Sequence, residues 1–226
     1  MLTLHRAAFL LPDPADPTAP SFADGAVVVR GELVEALGPY PELAAAHPSA
    51  RVRDWGNAVL TPGLRNPCGQ RLLERDYHPD PREEIGVEPV ADGLVGCTDE
   101  ARYGASARRG LQRMLGFGVT AVAGPFERAS VRTAVARSGL VALPGGAGAL
   151  DAAAPDADAV GASEVVGVLD PLAVLPLMRA VHGRVAAGGR ADFAVFPVVA
   201  AAGGVEPASG GCLATVLGGR LVYRRR

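Results

Sequence analysis

The chain has 226 residues, 22 basic against 24 acidic side chains and a formal charge of −2, which is long enough for one large domain or two small ones. Every one of the 22 basic residues is an arginine, so Schiff-base lysine chemistry, a phosphate loop ending in Gly-Lys and a carbamylated-lysine metal bridge are all excluded. A near-neutral balance gives no broad positive field to recruit nucleic acid or an anionic membrane.

Residues 2–10 are an apolar-rich strand candidate, closed by the Pro/Asp-rich stretch 12–20. Residues 26–30 and 32–37 flank Gly31 as a hairpin or bulged pair, ended by Gly38-Pro39. Residues 43–46 suit one helical turn. Residues 51–55 alternate, Gly56-Asn57 is a turn signal, and the apolar run 58–60 breaks at Thr61-Pro62-Gly63. Residues 66–99 lack periodicity and read as a long loop.

The pattern then changes to α/β. Thr98 or Asp99 caps a helix over residues 100–115, with Tyr103, Ala107, Leu111, Met114 and Leu115 on one face and Gly116 and Gly118 stopping it. Residues 119–123 are a buried strand, 126–137 a helix ended by Gly139, and 140–143 a second buried strand, so the strands pair in parallel with right-handed crossovers. Residues 145–158 are Gly/Ala/Asp-rich and read as a loop, followed by a short strand at 165–169 and a helix at 171–184 that Pro176 would kink. β-type patterning returns at 191–199, 211–217 and 220–224, the last two joined by the Gly218-Gly219 turn. Strands from both chain ends can therefore share one module.

Few residues have an obvious chemical role. Cys68, Cys97 and Cys212 form no Cys-x-x-Cys pair, and with a 7–11 apolar stretch too short for a signal-peptide core, a reduced, cytoplasmic protein is expected. No window holds roughly 18–20 uninterrupted apolar residues. The four histidines are scattered, and the best cluster is Asp76, His78 and Asp80, which with Cys68 would make a substitute metal site or else a solvated loop. Gly146 and Gly148 follow a strand, but Asp151 occupies the third glycine position of a dinucleotide fingerprint and would repel a pyrophosphate.

Several strings carry a resemblance in order along the chain: GAVVVRGELVEALG at 25–38, VLTPGLRN at 59–66, RGLQRMLGFGVTAV at 109–122, GGRADFAVF at 188–196 and VLGGRLVY at 216–223. Together they resemble the amidohydrolase superfamily, in its imidazolonepropionase-like and aminodeoxyfutalosine-deaminase-like branch. The resemblance implies a composite β-sandwich module from residues 1–60 and 186–226, beside a truncated TIM-barrel-like α/β remnant at 61–185. It also implies a hydrolase of non-peptide carbon–nitrogen bonds holding a divalent zinc or iron ion.

Two departures qualify that implication. Where the family places a His-x-His pair, this chain has Cys68 and Gln70. A closed barrel takes on the order of 250 residues, whereas positions 124–189 have room for about two more strand–crossover units. The expectation is therefore a protein without metal site or catalysis, acting in ligand binding or as a partner subunit. An active deaminase or cyclic-amide hydrolase with a substituted or partner-completed site is the alternative. Asn66, Cys68, Gln70, Phe126 and Glu127 are the candidate residues at the mouth, for a small polar ligand. Open strand edges lead to the expectation of a homo-oligomer or a heteromeric protein partner.

Overall fold

The computed structural model describes residues 2–145, 168–201 and 204–225. Its strands form two sheets. The larger has nine strands, ordered β12-β11-β9-β5-β1-β2-β3, with β4 added on β1 and β10 on β9. The N-terminal part supplies β1 (Leu2–Leu10), β2 (Phe22–Arg30), β3 (Leu33–Pro39), β4 (Arg51–Asp54) and β5 (Ala58–Pro62), with a one-to-two-turn helix α1 (Tyr40–Ala46) between β3 and β4. The C-terminal part supplies β9 (Phe193–Ala201), β10 (Gly204–Pro207), β11 (Ala214–Leu217) and β12 (Arg220–Arg224). The composite module expected from the two chain ends is thus present.

The two halves join along β5 and β9, antiparallel from Ala58 opposite Pro197 to Pro62 opposite Phe193. All five β5 residues are buried, so strand alternation sends Ala58 and Leu60 into one core and Val59 into another. Phe193 and Val195 of β9 join Leu60, while Ala194 and Phe196 join Val59. Val27, Val29 and Val34 from one wing of the sheet share the Leu60 core with Ala214 and Val216 from the other, so the sheet curls onto itself as a sandwich. The β11–β12 hairpin turns at Gly218 (φ 50°) and Gly219 (φ 71°), the left-handed pair a two-residue turn needs. A side chain on Gly219 would lie 2.0 Å from the Gly31 carbonyl, which turns β2 into β3.

The second sheet is parallel and three-stranded: β6 (Leu64–Asn66), β7 (Val119–Ala123) and β8 (Val141–Leu143), in that order. Helix α3 (Glu100–Leu115) begins where Asp99 Oδ1 accepts from the Ala101 N–H at 2.8 Å, and the expected face of Tyr103, Ala107, Leu111, Met114 and Leu115 is buried. Helix α4 (Ala129–Ser138) starts three residues later than the pattern suggests, because Arg128 remains extended, its N–H donating to Glu74 Oε1 at 2.7 Å. It ends at left-handed Gly139.

Two expectations change. The stretch read as a loop at 66–99 contains helix α2 (Gly69–Glu74) and a 3-10 turn, Pro81–Glu83, tied down by the fully buried Leu72, Leu73 and Leu94. The helix expected over 171–184 is instead a 3-10 turn, Pro171–Ala173, and a short helix, Leu177–Ala180, separated by extended Pro176. The strand expected at 165–169 and the loop at 145–158, with Gly146, Gly148 and Asp151, lie almost wholly outside the described residues; Val168 and Leu169 are described and are not in a strand. No helix among the described residues is long and apolar enough to cross a membrane.

His5 is central to the β module. Its ring stands edge-on to Phe193 with centroids 5.0 Å apart, and Trp55 Nε1–H donates to its Nδ1 at 3.4 Å, which requires the neutral imidazole. Burial, with Arg53 adding to it, pushes the His5 pKa down from 6.5 to about 3. The unfolded chain therefore binds a proton below pH 6.5 that the folded chain refuses until about pH 3, so stability present at neutral pH is lost on acidification, by up to about 1.4 kcal/mol per pH unit. Urea unfolding of His5→Phe between pH 6.5 and 4 is expected to show a shallower loss than the parent chain, and an unchanged slope would remove His5 as its source.

Candidate functional site

Strand β5 passes into β6 through Gly63, and the small sheet begins there. A Cβ on Gly63 would fall 2.1 Å from the Thr120 side chain on β7, so this close approach admits only glycine. The β6 register places Arg65 beside Ala121, which in turn lies beside Val141, while Ala123 lies beside Leu143. Paired residues of parallel strands share a face, so Arg65, Ala121, Ala123, Val141 and Leu143 line one side, and Leu64 and Val122 turn to the helices. The free edge of β6 is covered by chain running the other way: His182 N–H donates to Gly63 O at 2.7 Å, Leu64 bridges Val181, and Arg65 Nε–H donates to Arg179 O at 3.2 Å.

These segments enclose an open cavity of about 350 Å³ at the carboxyl ends of the parallel strands, lined by Arg65, Asn66, Ala123, Leu143, Val181 and His182 with Pro67, Pro144 and Gly183. That size falls within the range of small-molecule sites. Among the described residues the terminal nitrogens of Arg65 bond no side chain or backbone carbonyl, and no carboxylate, thiol or hydroxyl lines the cavity. Burial lowers the His182 pKa, opposed by Asp192 and assisted by Arg65, so the imidazole beside the guanidinium is neutral at pH 7. One fixed cation and one neutral donor–acceptor, set in an apolar wall, suit recognition of a small anionic, polar molecule.

Of the expected mouth residues, only Asn66 lines this cavity, and its amide is engaged. Its Oδ1 accepts from Cys68 N–H at 2.9 Å and its Nδ2 donates to Val168 O at 3.0 Å, so it shapes the strand end and leaves recognition to its neighbours. Cys68 and Gln70 are not on a strand. Cys68 is the residue preceding α2 and Gln70 lies in its first turn, because Gly69 packs where a Cβ would be 2.7 Å from Ala123 O and the chain coils at once. Two positions apart on a helix point in different directions, so the side-by-side geometry a strand gives a ligand pair is absent here. Phe126 is half-buried against the helical core, and Glu127 is exposed, its carbonyl accepting from Arg132 Nη1.

Cys68, Asp76, His78 and Asp80, the substitute metal set, are not gathered at one point. Among the described residues no three His, Cys, Asp or Glu side chains converge on an ion position. His78 is fully buried with Nε2 2.8 Å from Leu72 O, and its backbone N–H donates to Ser106 Oγ; burial lowers its pKa. Asp76 accepts from Asp92 N–H at 3.0 Å, and Asp80 caps the 3-10 turn and meets Arg109. Asp76 and Asp80 are held by different partners and the buried His78 Nδ1 faces no second donor, so the described residues do not converge to fit the divalent ion that the sequence resemblance implies. The sequence reading missed Arg65 and His182: Arg65 is one of many arginines, and His182 reaches the site only because residues 179–182 run antiparallel to β6.

Residues 25–50, which span β2, β3 and α1, match the imidazolonepropionase-like composite domain of bacteria. No curated protein matches. Among solved structures the chain is similar to guanine deaminase from Bradyrhizobium japonicum (18% identity, TM-score 0.44, covering 63% of this chain and 34% of that one). It is also similar to A. niger ochratoxinase (21%, 0.44, 63% and 31%) and to a zinc-bound adenosine deaminase from Xanthomonas campestris (20%, 0.42, 62% and 33%). The chain spans about a third of the length of each.

The buried setting of His78 yields a test of its structural role. Gly110 of α3 faces it so closely that a Cβ would lie 2.5 Å from His78 Nε2. Gly110→Ala is expected to lower stability by about 1–3 kcal/mol through overpacking, read as a reduced urea midpoint, and an unchanged midpoint would show that His78 moves freely.

Proposed function

Starting from the imidazolonepropionase-like composite domain at residues 25–50, we propose that this amidohydrolase-like chain is a binding protein for a small carboxylate-bearing ligand, held at the carboxyl ends of β6, β7 and β8, and that it performs no metal-assisted hydrolysis. The observation that carries this reading is the cavity wall that joins Arg65 to neutral His182 with no acidic group among the described residues. The guanidinium pairs with the ligand carboxylate through its terminal nitrogens, and His182 hydrogen-bonds a polar atom on the rest of the ligand. Ala123, Leu143 and Val181 close around the ligand's apolar part.

The donor chemistry supports the second half of the proposal. Metal-assisted attack of water on a carbon–nitrogen bond needs a cation held by several N, O or S donors and a general base beside it. The family-equivalent positions hold Cys68 and Gln70 at a helix start, Gln70 offers only a neutral amide, and the nearby acidic residues serve as caps and ion-pair partners.

Pyroglutamate, a cyclic amide with one carboxylate, is a suitable probe, with 2-pyrrolidinone as its uncharged counterpart. Calorimetric titration is expected to give saturable binding of pyroglutamate only. Arg65→Ala should weaken it about tenfold or more, the scale of one charge-assisted hydrogen bond. Equal binding of both probes, or no effect in Arg65→Ala that retains the parent circular dichroism, would sink the assignment. In a separate measurement, protein incubated with excess Zn²⁺ and then desalted is expected to retain far less than one equivalent, and one tightly held ion would contradict the non-metal reading.

A further inference from the structure

A second concavity lies on the other side of the small sheet, where α3, α4 and β12 meet. It is an open groove of about 420 Å³ with Leu111 and Leu115 of α3, Ala134 of α4 and Val222 of β12 as its floor. Arg108 on α3 and Arg137 in the last turn of α4 stand on its rim, with the amide of exposed Gln112 between the apolar floor and solvent. Among the described residues the rim contains no acidic side chain. Many arginines of the chain are neutralised, as Arg109 is by Asp80, Arg113 by Glu88 and Arg128 by Glu100, whereas Arg108 and Arg137 enter no ion pair or hydrogen bond among the described residues. Ser138, the remaining polar residue of the wall, already donates its hydroxyl to Val135 O at 2.7 Å.

We propose that this groove is a separate binding site for an amphipathic anion, a carboxylate on an extended aliphatic tail. The tail lies along Leu111, Leu115, Ala134 and Val222, removing apolar surface from water, and the carboxylate bridges the two guanidinium groups at the rim. Charge selects the occupant: two unneutralised cations over an apolar floor favour an anion with a tail over a neutral lipid, and the apolar floor disfavours a small, fully hydrated anion. The site does not depend on the cavity beside Arg65, from which it is separated by the β6-β7-β8 sheet.

The test is a titration of the whole chain with decanoate below its micelle threshold, followed through methyl chemical shifts, with decanol and acetate as the comparison ligands. Saturable decanoate binding is expected, with shifts centred on Leu111, Leu115 and Val222 and at least tenfold weaker binding of decanol and of acetate. Arg108→Gln combined with Arg137→Gln, both at exposed positions, should weaken decanoate by tenfold or more while leaving the circular dichroism spectrum intact. Gln112→Trp, which fills the groove, should abolish binding. Shifts centred on Leu143 and Val181 would place the ligand in the other cavity and overturn the inference. Equal affinity for decanol, or decanoate binding that survives both arginine changes, would overturn it as well.

Discussion

The antiparallel pairing of β5 with β9 is the constraint on which the rest of the molecule depends. It brings a segment ending at Pro62 against one beginning at Phe193, and so welds strands from opposite ends of the chain into one curled sheet. Because β5 is buried on both faces, Val59 looks toward the helical half and Ala58 and Leu60 toward the sandwich core. One residue later Gly63 lets the chain pass against Thr120 and become β6. The position of Arg65 is therefore set by a ladder formed three to seven residues earlier.

The cavity and the groove are built on the two faces of the same small sheet, and their chemistry follows from which face each side chain meets. Arg65 turns to the cavity because its neighbour Leu64, at the alternate position, is buried in the helical core. The outer face is covered by α3 and α4, whose packing leaves Arg108 and Arg137 at the rim of a furrow floored by leucines. His5, His78 and His182 do not extend either positive surface at neutral pH. All three have lowered pKa values, with desolvation the largest cause in each; His5 accepts from Trp55 and His78 Nε2 lies 2.8 Å from Leu72 O.

Much of the secondary structure was legible in the sequence where local rules dominate. The strand at Leu2–Leu10, the helix from Glu100 to Leu115 with its Asp99 cap, the strand Val119–Ala123 and the final strand Arg220–Arg224 stand where alternation, helical spacing and glycine turns place them. Helix α2 was hidden because six residues are too few to display a period, and its stability comes from Leu72 and Leu73 meeting a core assembled from distant segments. The helix expected after Pro171 broke at Pro176, whose conformation outweighs the apolar spacing around it.

By itself the sequence determined the composite module and the α/β middle, because alternation and capping are local properties. Only the tertiary structure decided that Cys68 and Gln70 begin a helix, that Asp76, His78 and Asp80 are spent on separate contacts, and that Arg65 meets His182. The physical reason is distance along the chain: Arg65 and His182 become neighbours through backbone bonds from Gly63 and Leu64 to residues 181 and 182, and no local pattern encodes a pairing across so long a separation.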